Sequence, residues 1–246
     1  MSGAKQLAVI ALLLCVLSVS AVYYFGRSLW YPVVIKIQGK QTVSQVLEKY
    51  SATTDSEMRP LFSQAGIQYP PTKLALITFK DERLMHLWAA NDDVQYQLIV
   101  SYPVLAASGK LGPKLREGDR QVPEGMYRIS GLNPNSSYHL SMKLDYPNQF
   151  DLKHAKIEGR TEPGSNIFIH GRARSIGCLA MGDEVIERLF TLVNAVGLTN
   201  TQVIIAPSNP ARGQLVSPAD APTWVPELYR DIELHYAQLT EGFDRA

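Results

Sequence analysis

The chain has 246 residues, with 24 Lys+Arg against 23 Asp+Glu and 46% hydrophobic residues, a length that fits one domain with appendages or two small ones. A net charge of +1 lacks the basic excess of a nucleic-acid binder, so no such partner is expected. Its 15 prolines and 17 glycines are scattered rather than periodic, which excludes collagen-like and low-complexity classes. With two cysteines, Cys15 and Cys178, there is neither a disulfide scaffold nor a cysteine zinc site.

Leu7 to Phe25 is an uncharged apolar run of nineteen residues between Lys5 and Arg27. At about 1.5 Å rise per residue it spans roughly 30 Å of hydrocarbon. Val19 and Ala21 would also satisfy a signal-cleavage pattern. Because the apolar run continues past Ala21 into Tyr23, Tyr24, Trp30 and Tyr31, an interfacial aromatic belt and retention in the membrane are expected. Residues 1–30 are therefore read as a signal or transmembrane anchor, and the remainder as exported to the periplasm or cell envelope. In an oxidising compartment, Cys178 without a partner is either a buried inert thiol or one kept for its chemistry.

Residues 31–71 read as a separate helical lead-in and linker. Thr42 caps a helix through Tyr50, with Val43, Val46 and Leu47 on one face. Asp55 or Ser56 caps a second helix to about Ala65, and Pro70-Pro71 closes the segment. From Lys73 the texture turns to β, with strands expected at Leu74–Phe79, Leu84–Trp88, Val94–Val104 and Met126–Ser130. The stretch that follows is loop-rich, with one strand at Tyr138–Leu144; further strands are expected at Asn166–His170 and Thr201–Pro207. Glu184–Val196 is an amphipathic helix with Val185, Ile186, Leu189, Phe190 and Val193 on its apolar face. The fold class is thus mostly β with one principal helix, occupying residues 72–207. Residues 208–246 form a Pro-rich tail with a helix near Pro226–Leu239.

The chemistry concentrates in IFIHGRARSIGCLAM. His170 and Cys178 lie eight residues apart, up to roughly 27 Å if extended, so acting together requires a chain reversal. Gly171 to Arg174 would supply it, glycine tolerating positive φ. A close imidazole would hold the thiol as thiolate, with His170 as base. The amides of Gly177 and Cys178 would form an oxyanion hole. Arg172 and Arg174 would raise the positive potential there. Against this, a cysteine after glycine also serves as a small packed residue, His170 as a structural histidine, and the arginines as turn charges. Among other histidines, His86 reads as structural, and His154 and His235 show no partner pattern. No metal-ligand spacing occurs, so neither metal nor cofactor is expected.

These residues resemble the signature of the L,D-transpeptidase catalytic-domain family (YkuD type). His170-Gly171 and Ser175, Gly177, Cys178 and Leu179 match its His-Gly and Ser-His-Gly-Cys-aliphatic-Arg pattern. The upstream SGKLGPKLREGDRQVPEGMYRI, with NPNSSYHL and DYPNQFD, is similar to the murein L,D-transpeptidase-like branch. The resemblance implies a β-rich domain with Cys178 as nucleophile and His170 as general base and then acid. The substrate would be a meso-diaminopimelate stem peptide of peptidoglycan, and a thioester would form on Cys178. Ile176 and Ala180 stand where the pattern has histidine and arginine, which opens hydrolysis beside transpeptidation, including release of a wall-linked lipoprotein. The resemblance also turns the 112–119 block into a cleft loop. Lys114 and Arg116 would then bind stem carboxylates, Asp119 and Glu124 the diaminopimelate amine, and Ser175 with Arg172 and Arg174 would line the substrate site. A solvated surface loop is the alternative for the first four. Tyr138 and His139 fit either the cleft or a hairpin face.

A sortase-like enzyme would need Leu-any-Thr-Cys and a distant histidine, and a papain-like protease would place its cysteine first. Neither fits. A non-catalytic wall-binding module with an inert thiol remains as the other reading.

Overall fold

The computed structural model describes residues 3–92 and 95–240. The chain falls into two compact units, Met1–Gln41 and Thr42–Ala246.

In the first unit, α1 (Gly3–Phe25) contains Lys5–Tyr23, a stretch of mean hydropathy 2.3 and 0% buried. By length and composition it can cross a membrane. Gly26 separates it from α2 (Arg27–Gln38), a helix the sequence patterns did not indicate. Across that break the rings of Tyr23 and Trp30 stack at 5.5 Å, and Trp30 meets Tyr31 edge-on at 6.1 Å. The side chain of Tyr24 lies outside the described residues.

The second unit begins at Thr42, whose Oγ1 accepts from the Gln45 amide at 3.2 Å while Gln45 Oε1 accepts from the Thr42 amide at 2.9 Å. This reciprocal cap starts α3 (Val43–Gln64), one continuous helix where the sequence suggested two. The stretch Ser51–Asp55 is polar enough to read as a break. However, Val46, Tyr50, Thr54, Met58 and Phe62 recur at every fourth residue and carry one inward stripe through it. Val46, Met58 and Phe62 belong to the same core as the sheet. The expected lead-in of residues 31–71 is therefore corrected: from Thr42 onward it is part of the domain, because α3 buries its apolar stripe there.

Among the described residues nine strands follow: β1 (Lys73–Phe79), β2 (Leu84–Ala90), β3 (Gln97–Pro103), β4 (Ala106–Ala107), β5 (Gly125–Ser136), β6 (His139–Leu144), β7 (Phe168–His170), β8 (Leu179–Ala180) and β9 (Thr201–Ala206). They form one sheet in the order β3-β2-β1-β9-β5-β6-β7-β8-β4. The β1–β9 and β7–β8 pairs are parallel, the others antiparallel. Val94, expected to open β3, lies outside the described residues. The β-rich class holds, though with more helix than expected, at 41%; part of the surplus is α4 (Gln149–Ile157), which sequence reading left as loop. Its start was encoded in Asn148 and Asp151, which cap each other's backbone amides.

Both faces of the sheet are covered. In β1, Leu74 and Leu76 face the core built with α3 and α5 (Asp183–Val196), while Ala75, Ile77 and Phe79 face α6 (Val225–Thr240). Two-sided burial explains the unbroken apolar run of LALITF. It also corrects the expected tail: Val225, Leu228, Tyr229 and Ile232 are buried against the sheet, so residues 225–240 are a structural layer. At the other end of the sheet β7 and β8 lie side by side, joined by residues 171–178.

Candidate active site

The β7–β8 register pairs Ile169 with Leu179 and His170 with Ala180. Continued one step, it sets Cys178 beside Phe168. Parallel neighbours point the same way, so Cys178, Phe168 and His170 share one face of the sheet. His170 and Cys178 are then diagonal neighbours: one strand spacing across and two residues along, roughly 8 Å between Cα atoms. The reversal expected from the sequence is present but parallel in sense. Connections between parallel strands usually need a dozen or more residues. Here eight suffice because the strands have only three and two residues.

Two glycines shape the connection. Gly171 was expected to supply positive φ, but that conformation sits on Arg172 at φ 61°. Gly171 is required for closeness instead: a Cβ there would lie 2.7 Å from both Asp183 Oδ1 and the Tyr138 carbonyl oxygen. Gly177, at φ 99°, adopts the left-handed conformation open to glycine.

His170 and Cys178 line one cleft of about 400 Å³. Its wall is polar on one side (Asn133, Asn135, Ser136, Ser137, Ser141) and holds Asn166, Phe168 and Ile176 on the other. His170 is buried, and its Nδ1 lies 2.6 Å from the Gly171 carbonyl oxygen. A carbonyl can only accept, so Nδ1 carries the proton and Nε2 keeps the lone pair, the tautomer a general base needs. The Tyr138 ring lies against the imidazole, with centroids 4.6 Å apart. Sγ of Cys178 is 3.8 Å from the Asn166 carbonyl oxygen.

Burial sets the charge state of the pair. It pushes the Cys178 thiol up, and the Phe168 amide and the Lys114 ammonium only partly oppose this. It pushes the His170 imidazole down, with the Gly171 carbonyl opposing. Burial thus favours a neutral thiol and a neutral imidazole, against the standing thiolate expected from a close imidazole. A thiolate at Cys178 would have to be made by proton transfer.

The expected oxyanion donors are already engaged. The Gly177 amide donates to Ser108 Oγ at 2.6 Å, and the Cys178 amide to Ser175 Oγ at 3.1 Å, while Ser175 Oγ donates to the Cys178 carbonyl at 2.6 Å. An oxyanion role for either amide would need its hydroxyl to move aside. Ser175 thus belongs to the turn that carries Cys178. Ser108 was missed, and a single sequence holds no signal for a contact between residues so far apart.

Of the two arginines, Arg174 lines the cleft. Arg172 is drawn away, its amide 2.8 Å and its Nη1 3.3 Å from the carboxylate of Asp183 at the start of α5. The 112–119 block does not line the cleft. Lys114 is buried and donates to Asp119 and to the Arg116 carbonyl. Asp119 also accepts from the amides of Leu115, Arg116 and Gln121, and Arg116 itself is exposed. Four donors converging on one carboxylate make this a self-stapled loop, which corrects the expected substrate contacts of Lys114, Arg116 and Asp119. Glu124 is likewise spent, taking bonds from Lys80, the Gly112 amide and Tyr229. His139 turns outward to Glu187, 2.6 Å away, tying β6 to α5. No cluster of three or more metal-ligating side chains occurs among the described residues.

The profile of the L,D-transpeptidase catalytic domain (YkuD) matches residues 74–205. A putative L,D-transpeptidase, YafK of Escherichia coli strain K12, is 33% identical over 159 residues, which cover 63% of this chain and 62% of that protein. The chain therefore spans less than two thirds of the length of this relative. Among solved structures, the helical cell shape determining protein Pgp2 of Campylobacter jejuni is 21% identical, with a TM-score of 0.45 over 62% of this chain and 56% of that one. Bd1075 of Bdellovibrio bacteriovorus is 20% identical, with a TM-score of 0.41 over 73% and 59%.

Proposed function

The chain belongs to the L,D-transpeptidase catalytic-domain family, whose members act on peptidoglycan peptides, and from that premise we propose that it is an exported cysteine acyltransferase working on stem peptides that contain meso-diaminopimelate. The observation that carries the reading is the pairing of Cys178 with a His170 whose tautomer is set for proton abstraction, both opening into one cleft.

In the proposed reaction Nε2 of His170 takes the thiol proton as Sγ attacks the diaminopimelate carbonyl. The tetrahedral adduct collapses to a thioester as the C–N bond breaks, and the imidazolium returns its proton to the leaving amine. An incoming amine or water then loses a proton to His170 and releases the acyl group. The neutral resting pair suits this sequence, since His170 enters the first step unprotonated. Arg174 in the cleft wall would favour a carboxylate-bearing peptide.

Ile176 and Ala180 stand where the family pattern has histidine and arginine, which sets water beside an amine as the acceptor. Hydrolysis of diaminopimelate-linked bonds, including those that hold a lipoprotein to the wall, is the second reading. We assign the Lys5–Tyr23 helix as inner-membrane anchor or export signal, placing the catalytic unit in the periplasm.

The test is turnover of diaminopimelate-containing muropeptides by wild type, Cys178→Ala and His170→Ala, with products identified by mass spectrometry. Both variants are expected to be inactive. Trimmed stems would mark hydrolysis and crosslinked dimers transfer. Retained turnover in Cys178→Ala would overturn the assignment, and a wild type that binds wall fragments without turnover would leave a binding module with an inert thiol.

A further inference from the structure

The geometry points to Ser108, at the end of the edge strand β4, as the residue that positions the nucleophile from the opposite strand. The antiparallel β4–β8 register pairs Ala106 with Ala180 and Ala107 with Leu179. The next step along that register brings Ser108 opposite Cys178. At this position the ladder gives way to a side chain: Ser108 Oγ accepts from the Gly177 amide at 2.6 Å.

Proton counting makes the arrangement directional. The single hydroxyl proton of Ser108 goes to the Arg120 carbonyl, 2.7 Å away, leaving the oxygen lone pairs for Gly177. The single hydroxyl proton of Ser175 goes to the Cys178 carbonyl, leaving its lone pairs for the Cys178 amide. The two hydroxyl oxygens stand 3.5 Å apart. Cys178 is thereby gripped on both sides: Ser175 holds its own peptide groups, and Ser108 holds the amide of the residue before it. Gly177 needs the second grip most. At φ 99° it has no side chain to restrain it, and glycine pays the largest conformational entropy on being fixed. Arg120 and Gln121 stand behind the turn, the position of a Gly177 Cβ lying 3.4 Å from the Gln121 carbonyl. The loop from Ser108 to Gln121, stapled by Lys114 and Asp119, is thus a backing wall whose hydroxyl fixes where Sγ points. Ser108 touches no reacting atom; it acts through Gly177.

This inference rests on the reading of Cys178 as nucleophile, and the experiment keeps the two apart. Acylation of the full chain in detergent is followed with p-nitrophenyl acetate, in a Cys15→Ser background, for Ser108→Ala and for the isosteric pair Ser108→Thr and Ser108→Val. Release of nitrophenolate reports thioester formation at Cys178. Ser108→Ala and Ser108→Val are expected to acylate about tenfold more slowly, the rate equivalent of one hydrogen bond. KM and the pH profile should stay unchanged, and Ser108→Thr should remain within about threefold of wild type. The Thr/Val comparison differs by one hydroxyl, so it stands even if the alanine variant fails to fold. Equal rates for Thr and Val, or a loss expressed in KM alone, would overturn the positioning role. Acylation persisting in Cys178→Ala would instead overturn the parent reading.

Discussion

Lys80→Met should unfold the domain well before wild type, and the structure says by how much. Lys80 follows β1 and its side chain is 6% exposed, against 0% for its partner Glu124, with Nζ and Oε1 2.9 Å apart. All three ammonium protons are used, on Glu124, on the Gly112 carbonyl at 2.9 Å and on the Val122 carbonyl at 3.0 Å. Methionine fills the same volume but takes the donor from the Val122 carbonyl, leaves the Gly112 carbonyl with Gln121 Nε2 alone, and leaves a carboxylate without its cation. Removing one member of a buried pair costs about 3–5 kcal/mol. For a domain of this size each kcal/mol lowers Tm by roughly 2–4 °C, so the expected drop is on the order of 10 °C by circular dichroism. Lys80→Met/Glu124→Gln should lose less than the sum of its single variants, because the amide removes the stranded charge, while its oxygen can still accept from the Gly112 amide and its NH2 can donate to the Tyr229 hydroxyl oxygen, which lie 2.7 and 2.6 Å from the carboxylate. A Lys80→Met melt within about 2 °C of wild type would refute the reasoning.

Three further outcomes follow from the same reading. Because burial holds the His170 imidazole below 6.5 and the Cys178 thiol above 9.0, kcat/KM should rise as pH climbs through the depressed imidazole value and then stay level past pH 8; an alkaline limb near pH 8 would instead indicate a thiolate–imidazolium pair. Burial raises the Asp151 carboxyl from 3.8 to about 6. A raised acid binds its proton more tightly when folded, so its contribution is full below pH 3.8 and lost as pH passes about 6. Wild-type Tm should therefore fall between pH 4 and pH 7 relative to Asp151→Asn, by the equivalent of roughly 2 kcal/mol; parallel melting curves for the two would contradict this. Gly171→Ala must push its Cβ against the Tyr138 carbonyl oxygen, costing about 1–3 kcal/mol in urea unfolding and lowering kcat through His170 next door; unchanged values in both assays would show that the approach is not tight.

What was legible in the sequence was what local pattern encodes. LALITF, LMHLW and TQVIIA declared themselves as strands, and the apolar face of Glu184–Val196 as a helix, because burial imposes a period. The pair His170 and Cys178 was legible as a motif, and the cleft they share follows from the register between β7 and β8. What escaped is non-local. Whether Lys114 and Asp119 meet a ligand or each other depends on a loop closing on itself, and their residue types suit both. The continuity of α3 was hidden because its polar centre is exposed on one side, while Met58 and Phe62 are buried on the other. The charge state of the dyad could not be foreseen because burial is a property of the surroundings, and a nearby imidazole alone argues for the opposite outcome.

The placement of His170 and Cys178 on neighbouring strands has an evolutionary consequence. Their spacing is inherited from the ladder of the sheet, so the tip of the joining segment is free of that duty. Ile176, 70% exposed at the rim of the cleft, can be exchanged with little cost to stability or to the proton relay. Selection can thus reshape the rim of the cleft while the His170–Cys178 pair stays as it is.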